Sequence, residues 1–424
     1  MVLLTEVMAE RAQAPLQPDE ANALRTLTLT NLAAGAGDLG SAERMLAALP
    51  LTAGSRPADD AFLFAARLHA RTQDDFYPDG RVHVGAITLA VTLALADDVQ
   101  ERTLECLAAG YRVFCTIARA YSVDAQRRGM RPSGVFGPFG AAASAAAALE
   151  LDRAQTVNAI ALAAAASAGH NHAWIAGSDE WLIEVASAAR AGVEAALFTR
   201  AGVRAGVDVF EGRFGWSEAL FDDPGALALV SSLEAGELGA EAVAVKPYPV
   251  SGIAQVPTWL ASTLHDDGGE LPEEILVVVS PIEYAYPGSN SRGPFVSRSS
   301  ALMSIAFCVA CAIADGPVRL SRLEHSEAAD LTDLLGRVRL EPDAAMAEHA
   351  SRVEVRFADG RSASRAGNAS EILFPGWPEI SADKEALARR SEADPTLVVA
   401  TQAELARRAP HASELRRLLE EGRS

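Results

Sequence analysis

The sequence predicts a mainly α-helical protein with a large all-α body and a smaller α+β lid. Ala-rich segments with helical patterning fill the chain before Lys246, and β-type runs occur only after Leu271. The charged, helix-patterned stretch after about residue 385 reads as a return to the body. A chain of 424 residues exceeds one typical core. The expected parts are residues 1–245 for the body, 246–384 for the lid and 385–424 for the C-terminal return.

In order, helical patterning runs from Glu20 to Leu49 with a Gly-rich break, and Pro57 precedes a helix over Asp59–Ala70. A polar loop, Arg71-Thr-Gln-Asp-Asp-Phe-Tyr-Pro-Asp-Gly-Arg-Val-His83, leads into an apolar helix over Val84–Ala96. Further helices are expected at 99–124, 139–150, 153–169 and 180–205, with Asp152 and Asp179 at helix starts. Gly134, Gly137 and Gly140 read as a tight turn ahead of the Ala-rich pair, whose small side chains permit close backbone approach. In the lid, Glu274–Ser280 is a β-run and Ser351–Phe357 alternates as a strand closed by a turn at Asp359-Gly360. Helices are expected between them at Ser300–Ala314 and Ser326–Leu335, and again from Ser381 to Arg423.

Composition excludes some functions. With 37 Lys and Arg against 56 Asp and Glu, the net charge of −19 disfavours nucleic acid and anionic membrane, both of which need clustered cations. The first residues hold Glu6, Glu10 and Arg11, and the apolar helices are interrupted by polar residues, so neither a signal peptide nor a membrane span is expected. The expectation is a cytoplasmic protein that binds a small molecule. Cys106, Cys115, Cys308 and Cys311 lie in apolar helical contexts and read as reduced, buried thiols. Cys308-x-x-Cys311 has no second pair to complete a metal site, and no Gly-x-Gly-x-x-Gly stands at a strand-to-helix turn, so neither a metal nor a nucleotide cofactor is expected.

Several ordered motifs carry a family resemblance. Gly129-Met-Arg-Pro-Ser-Gly134, Gly137-Pro-Phe-Gly-Ala-Ala-Ala143, Glu211-Gly-Arg-Phe-Gly215, Lys246-Pro-Tyr-Pro249 and Ser304-Ile-Ala-Phe-Cys-Val-Ala310 with Asp315-Gly316 stand in sequence. Together they resemble the 2-methylcitrate dehydratase and cis-aconitate decarboxylase family, MmgE/PrpD, over about residues 20–390. The resemblance implies a helical body with a lid, a homodimer, and proton abstraction beside a carboxylate without a cofactor. Small-residue helix faces suit such a dimer.

Position by position, the family's polar set is altered. Its Asp-Phe-Asp-Asp-Thr loop and following His-Pro resemble Thr72–Phe76 and His83-Val84, so Asp74, Asp75 and His83 remain. Arg131 stands for the motif His, Trp181 for a Lys, Phe307 for a Tyr and Gln255 for a His. These exchanges predict a pocket poorer in anion binding and richer in π-surface. The candidate acid/base residues are His83, Asp74, Asp75, Tyr77, His170 and His172. The candidate substrate-binding residues are Arg131, Ser133, Trp174, Trp181, Lys246, Tyr248, Gln255 and Phe307, with Arg131 offering bidentate contact to one acidic group. Glu180 and Glu184, one turn apart, read as ion-pair partners. The expected activity is a lyase, isomerase or cyclase acting on a larger, mainly apolar, polyketide-like metabolite. The alternatives are dehydration or decarboxylation of a small carboxylic acid, and a catalytically silent binding subunit.

Overall fold

The computed structural model describes residues 3–48, 56–222, 238–266 and 269–422. The principal body helices are α1 (Pro18–Ala36), α2 (Pro57–His69), α3 (Gly85–Ala94), α4 (Thr103–Arg127), α5 (Pro132–Ala148), α6 (Arg153–Ala163) and α7 (Glu180–Arg200). The lid follows with α8 (Gln255–Ser262), β1 (Glu274–Val279), α9 (Ile305–Asp315), α10 (Ala329–Arg337), β2 (Val338–Pro342), β3 (Ala350–Arg356) and β4 (Ser362–Asn368). The chain ends in α11 (Lys384–Ser391), α12 (Pro395–Leu405) and α13 (Ala412–Glu421). The protein is therefore mainly α with a smaller α+β part.

The Gly-rich segment corrects the sequence expectation of a tight turn. Pro132 starts α5, and the helix runs straight through Gly134, Gly137, Pro138 and Gly140. The glycines serve packing: a Cβ on Gly140 would lie 2.6 Å from Phe114 Cβ, so α5 and α4 touch through that missing side chain. Conversely, α6 ends at Ala163, short of the expected 169, in a single 3-10 turn over Ala164–Ala166.

The lid sheet has the order β2-β1-β3-β4. β3 and β4 form the expected antiparallel hairpin, whereas β2, absent from the sequence reading, runs parallel to β1 with Ile275 opposite Val338. Among the described residues two large apolar cores result, beside a small cluster of Phe76, Ala244 and Leu373. One gathers body helices from Leu4 to Val245 with the C-terminal helices from Ile380 to Leu419. The other runs from Tyr248 to Val355 and also takes Phe62, Ala66, Trp174, Trp181 and Leu182 from the body. The seam between the cores runs through Lys246, whose neighbours fall on either side.

Candidate active site

Helix α2 delivers His69 at its last turn, and the loop to α3 then folds back over residues 70–84. Asp75 fixes that loop. Its Oδ1 accepts from the Gly85 amide (2.7 Å), its Oδ2 from Asn31 Nδ2 (2.9 Å) and from the Tyr111 hydroxyl, and its own amide donates to Asn31 Oδ1 (2.8 Å). Both of its carboxylate oxygens are held by the scaffold. Burial pushes its pKa up to about 6 against these hydrogen bonds. Phe76 then pairs with Ala244 through two backbone hydrogen bonds (2.9 and 2.8 Å), which brings the Lys246-Pro-Tyr-Pro249 turn alongside. Gln73 Nε2 donates to the Pro247 carbonyl (2.9 Å) and holds the turn there.

Asp74 points the other way and is wholly buried. His69 Nδ1 lies 3.0 Å from both of its carboxylate oxygens, His83 Nδ1 lies 3.1 Å from Oδ2, and Lys246 Nζ lies 3.9 Å from Oδ1. Donor and acceptor chemistry fixes both tautomers. Arg131 NH2 donates to His69 Nε2 (2.8 Å), so that nitrogen accepts and Nδ1 carries the proton given to Asp74. His83 Nδ1 faces two acceptors, Asp74 and the Asp75 carbonyl (3.1 Å), so it too is protonated and Nε2 carries the lone pair. A neutral, basic Nε2 on a residue lining a cavity is the arrangement of a general base.

The charges agree with this assignment. Burial pushes His69 down to about 3 and lowers His83 as well, so both rings are neutral at neutral pH. Burial alone would raise Asp74, but His69, His83 and Lys246 together hold it well below the usual carboxylate range. Burial lowers Lys246 to about 8, and its ammonium has no hydrogen-bond partner among the described residues. His69, Asp74 and His83 are also close enough to face one metal ion. In the arrangement present, Asp74 accepts from both imidazoles and Lys246 supplies the neighbouring cation.

The cavity beside this cluster opens to solvent, and cavity and mouth together take in about 760 Å³. His83, Lys246, Arg131, Ser133, Ser251, Glu283 and His349 contribute its polar edge, and Phe76, Trp174, Ile253, Ile282, Leu302 and Met303 much of its apolar wall. Within this lining, Arg131 is already engaged. NH1 donates to the Trp181 carbonyl and lies 3.4 Å from Glu184, NH2 holds His69, and the guanidinium sits 5.0 Å from the Trp174 ring centre. The bidentate contact expected of it would require breaking these bonds. Ser133 Oγ accepts from the His83 amide (3.0 Å) and so helps to position His83.

Other sequence candidates lie elsewhere. His170 and His172 are exposed and do not line the cavity, although Glu184, one of the anticipated ion-pair residues, accepts from the His170 amide (2.8 Å). Tyr77 is buried in the helical core, and Tyr248 turns to Ser262 (3.2 Å). Gln255 closes the hinge turn on the Tyr248 and Val250 carbonyls (2.9 Å each), and Phe307 packs on Phe295 inside the lid, 4.9 Å between centres. Trp181 stands behind the cavity, edge-on to His69 at 5.1 Å. The apolar wall therefore comes from residues other than the exchanged Trp181 and Phe307.

Sequence reasoning missed His69, Ser251, Glu283 and His349. His69 ends a helix with no motif around it. Ser280-Pro-Ile-Glu283 has the spacing of a capping box, which is how it folds, so its sequence signal is that of a helix start.

The MmgE/PrpD N-terminal domain profile matches residues 33–227, a span that contains His69, Asp74, His83 and Arg131. No curated protein matches the chain. Among the described residues no helix is long and apolar enough to cross a membrane. Family members are generally lyase-type enzymes on a dehydratase-like scaffold. With His69, Asp74, His83 and Arg131 all inside the matched span, the match supports membership of the MmgE/PrpD family.

Proposed function

We propose that this chain is a lyase-type enzyme, working without a resident cofactor, on a mainly apolar molecule that bears a single anionic group. The observation that carries the reading is the buried Lys246 ammonium, which lacks a hydrogen-bond partner among the described residues and lines the same largely apolar cavity as His83. A buried polar atom without a partner costs stability unless a ligand completes it. Ser251 Oγ, also buried and without a partner among the described residues, lies on the same lining and suits the second oxygen of a carboxylate. His83 Nε2 then takes a proton from the adjoining carbon. The imidazolium that forms is stabilised by Asp74, while Lys246 stabilises the charge that develops on the carboxylate.

A tricarboxylate fits poorly. The two arginines on the lining are committed, Arg131 as described and Arg81 to Glu348 at 2.8 Å, so one cation remains for anions. Phe76, Trp174, Ile253, Leu302 and Met303 suit a hydrocarbon body, of the kind found in polyketide-like chains. The test compares 2-methylcitrate, cis-aconitate and 3-hydroxydecanoate as substrates in deuterated water, with NMR detection. We expect deuterium to enter C2 of the decanoate compound, His83→Ala to abolish this, and neither tricarboxylate to react. Turnover of either tricarboxylate, or exchange that survives in His83→Ala, refutes the reading.

A further inference from the structure

A second histidine–carboxylate pair lines the cavity, and it comes from the lid. Glu283 is almost wholly buried; its Oε1 accepts from the His349 amide (3.0 Å) and its Oε2 from the Ser280 hydroxyl (2.8 Å). His349 Nδ1 lies 3.5 Å from Oε1, is buried, and has no hydrogen-bond partner among the described residues. The backbone of His349 adopts φ +56°, a left-handed conformation that L-residues rarely take, and the Glu283 contact to its amide helps to hold it there. Among the lining residues, three present a buried polar atom without a partner: Lys246, Ser251 and His349. Lys246 and Ser251 suit the substrate carboxylate, and His349 is left without a ligand group.

The spacing suits one small functional unit. Lys246 Nζ and the His349 ring each lie 6.0 Å from the centre of the Phe76 ring, so they are no more than about 12 Å apart. A carboxylate and a hydroxyl on the carbon two removed, with a hydrogen bond of roughly 2.8 Å at each end, span about 8 to 9 Å. We infer that His349, held by Glu283, receives and protonates the oxygen that leaves the carbon next to the one His83 deprotonates, so that the substrate is a 3-hydroxy acid with an apolar body. This rests on the reading of His83 and Lys246 given above.

The step balances. His83 Nε2 takes the C2 proton, the C–H electron pair becomes the C2=C3 π bond, and the C3–O bond breaks with its pair on oxygen. That oxygen takes the one proton that the Glu283–His349 pair carries and departs as water. The lid pair is left as a carboxylate and a neutral imidazole, and the proton on His83 later returns to it. Burial raises Glu283 to about 7, in keeping with a proton retained by the pair near neutrality. Around the His349 ring, burial and Arg81 disfavour its charged form, while Glu348, Asp79 and the Pro78 carbonyl favour it.

The test uses the full chain with decanoate and 3-hydroxydecanoate, binding by calorimetry and chemistry by NMR in deuterated water. The wild type should bind the hydroxy acid about tenfold more tightly than decanoate, the worth of one hydrogen bond to an ionisable group. His349→Phe and Glu283→Gln should each reduce that preference to within twofold, and circular dichroism with a cooperative urea transition checks that the variants fold. Both should lose 2-decenoate formation by about 100-fold or more while C2 deuterium exchange persists. Equal binding of the two acids by the wild type, or unimpaired alkene formation in both variants, overturns the inference. Absence of binding by either acid, or exchange that survives in His83→Ala, instead brings down the reading on which it rests.

Discussion

Replacing Asp74 by Asn leaves the Lys246 ammonium buried without its counter-ion, and the cost can be worked through. At 3.9 Å and an effective dielectric constant near 20, the pair interacts by roughly 4 kcal/mol. Losing that attraction would lower Lys246 from about 8 to roughly 5. At pH 7 the variant's lysine then sheds its proton, which limits this part of the loss to about 1.4 kcal/mol, the cost of one pH unit below a pKa near 8. A further 1 to 3 kcal/mol or so follows because Asn accepts from one imidazole but turns a donor towards the other. The sign is definite. Burial lowers Lys246 from its usual 10.5, so the folded chain binds fewer protons than the unfolded one and stability rises with pH from the folded to the unfolded pKa. The substitution moves the lower end of that window. Its lysine-dependent deficit should vanish above about pH 9 and grow by about 2 kcal/mol between pH 7 and pH 5. Urea unfolding of wild type, Asp74→Asn and Asp74→Asn/Lys246→Met measures it directly. The double variant should lose the pH-dependent part. A deficit that is flat or shrinks between pH 7 and pH 5 refutes the argument.

Other outcomes follow from the same geometry. The rate of the His83-dependent reaction should fall as pH rises through about 8, where Lys246 loses the charge that holds the anion, and this limb should disappear in Lys246→Arg. Gly85→Ala should lower the unfolding midpoint sharply, by the equivalent of about 2 kcal/mol or more. The added methyl would meet Asn31 Nδ2 at 2.0 Å and Asp75 Oδ2 at 2.5 Å, and a wild-type midpoint would contradict the clamp described for Asp75. Light scattering at micromolar concentration should give a homodimer, and a mass of one chain, 44.5 kDa, would exclude it.

The sequence made the architecture legible because its signals are local. Ala-rich periodicity marks α5 and α6, and the alternation over Ser351–Phe357 ended by Asp359-Gly360 marks the β3–β4 hairpin. What stayed hidden depends on contacts between distant segments. Gly134 and Gly140 carry the local signal of a turn, and only Phe114, from another helix, shows Gly140 to be a packing point. His83 was visible because it follows a motif-like loop, whereas His69 becomes visible only when Arg131 reaches its Nε2 from 62 positions away. His170 and His172 were attractive as histidines in a polar connection, yet residue type carries no information about direction. The isolated bridge between Met130 and His170 fixes the backbone there while the side chain stays exposed.

Asp74 and Asp75 show how far apart neighbouring identical residues can be driven. Successive side chains along an extended loop point to opposite sides, so one carboxylate enters the helical body and the other enters the seam between the cores. On the body side Asp75 meets a hydroxyl, an amide side chain and a backbone N–H, all neutral donors, and burial prevails, leaving a group near 6 whose work is structural. On the seam side Asp74 meets two imidazole Nδ1–H groups and an ammonium, and these overcome an equal degree of burial. The first arrangement fixes where the loop runs, and the second fixes which nitrogen of His83 is free. Since the His83 ring also donates to the Asp75 carbonyl, the structural aspartate places the imidazole that its neighbour orients. A substitution at Asp75 should therefore impair the reaction through displacement of His83, and loss of fold and loss of rate should travel together there, whereas at Asp74 they separate with pH.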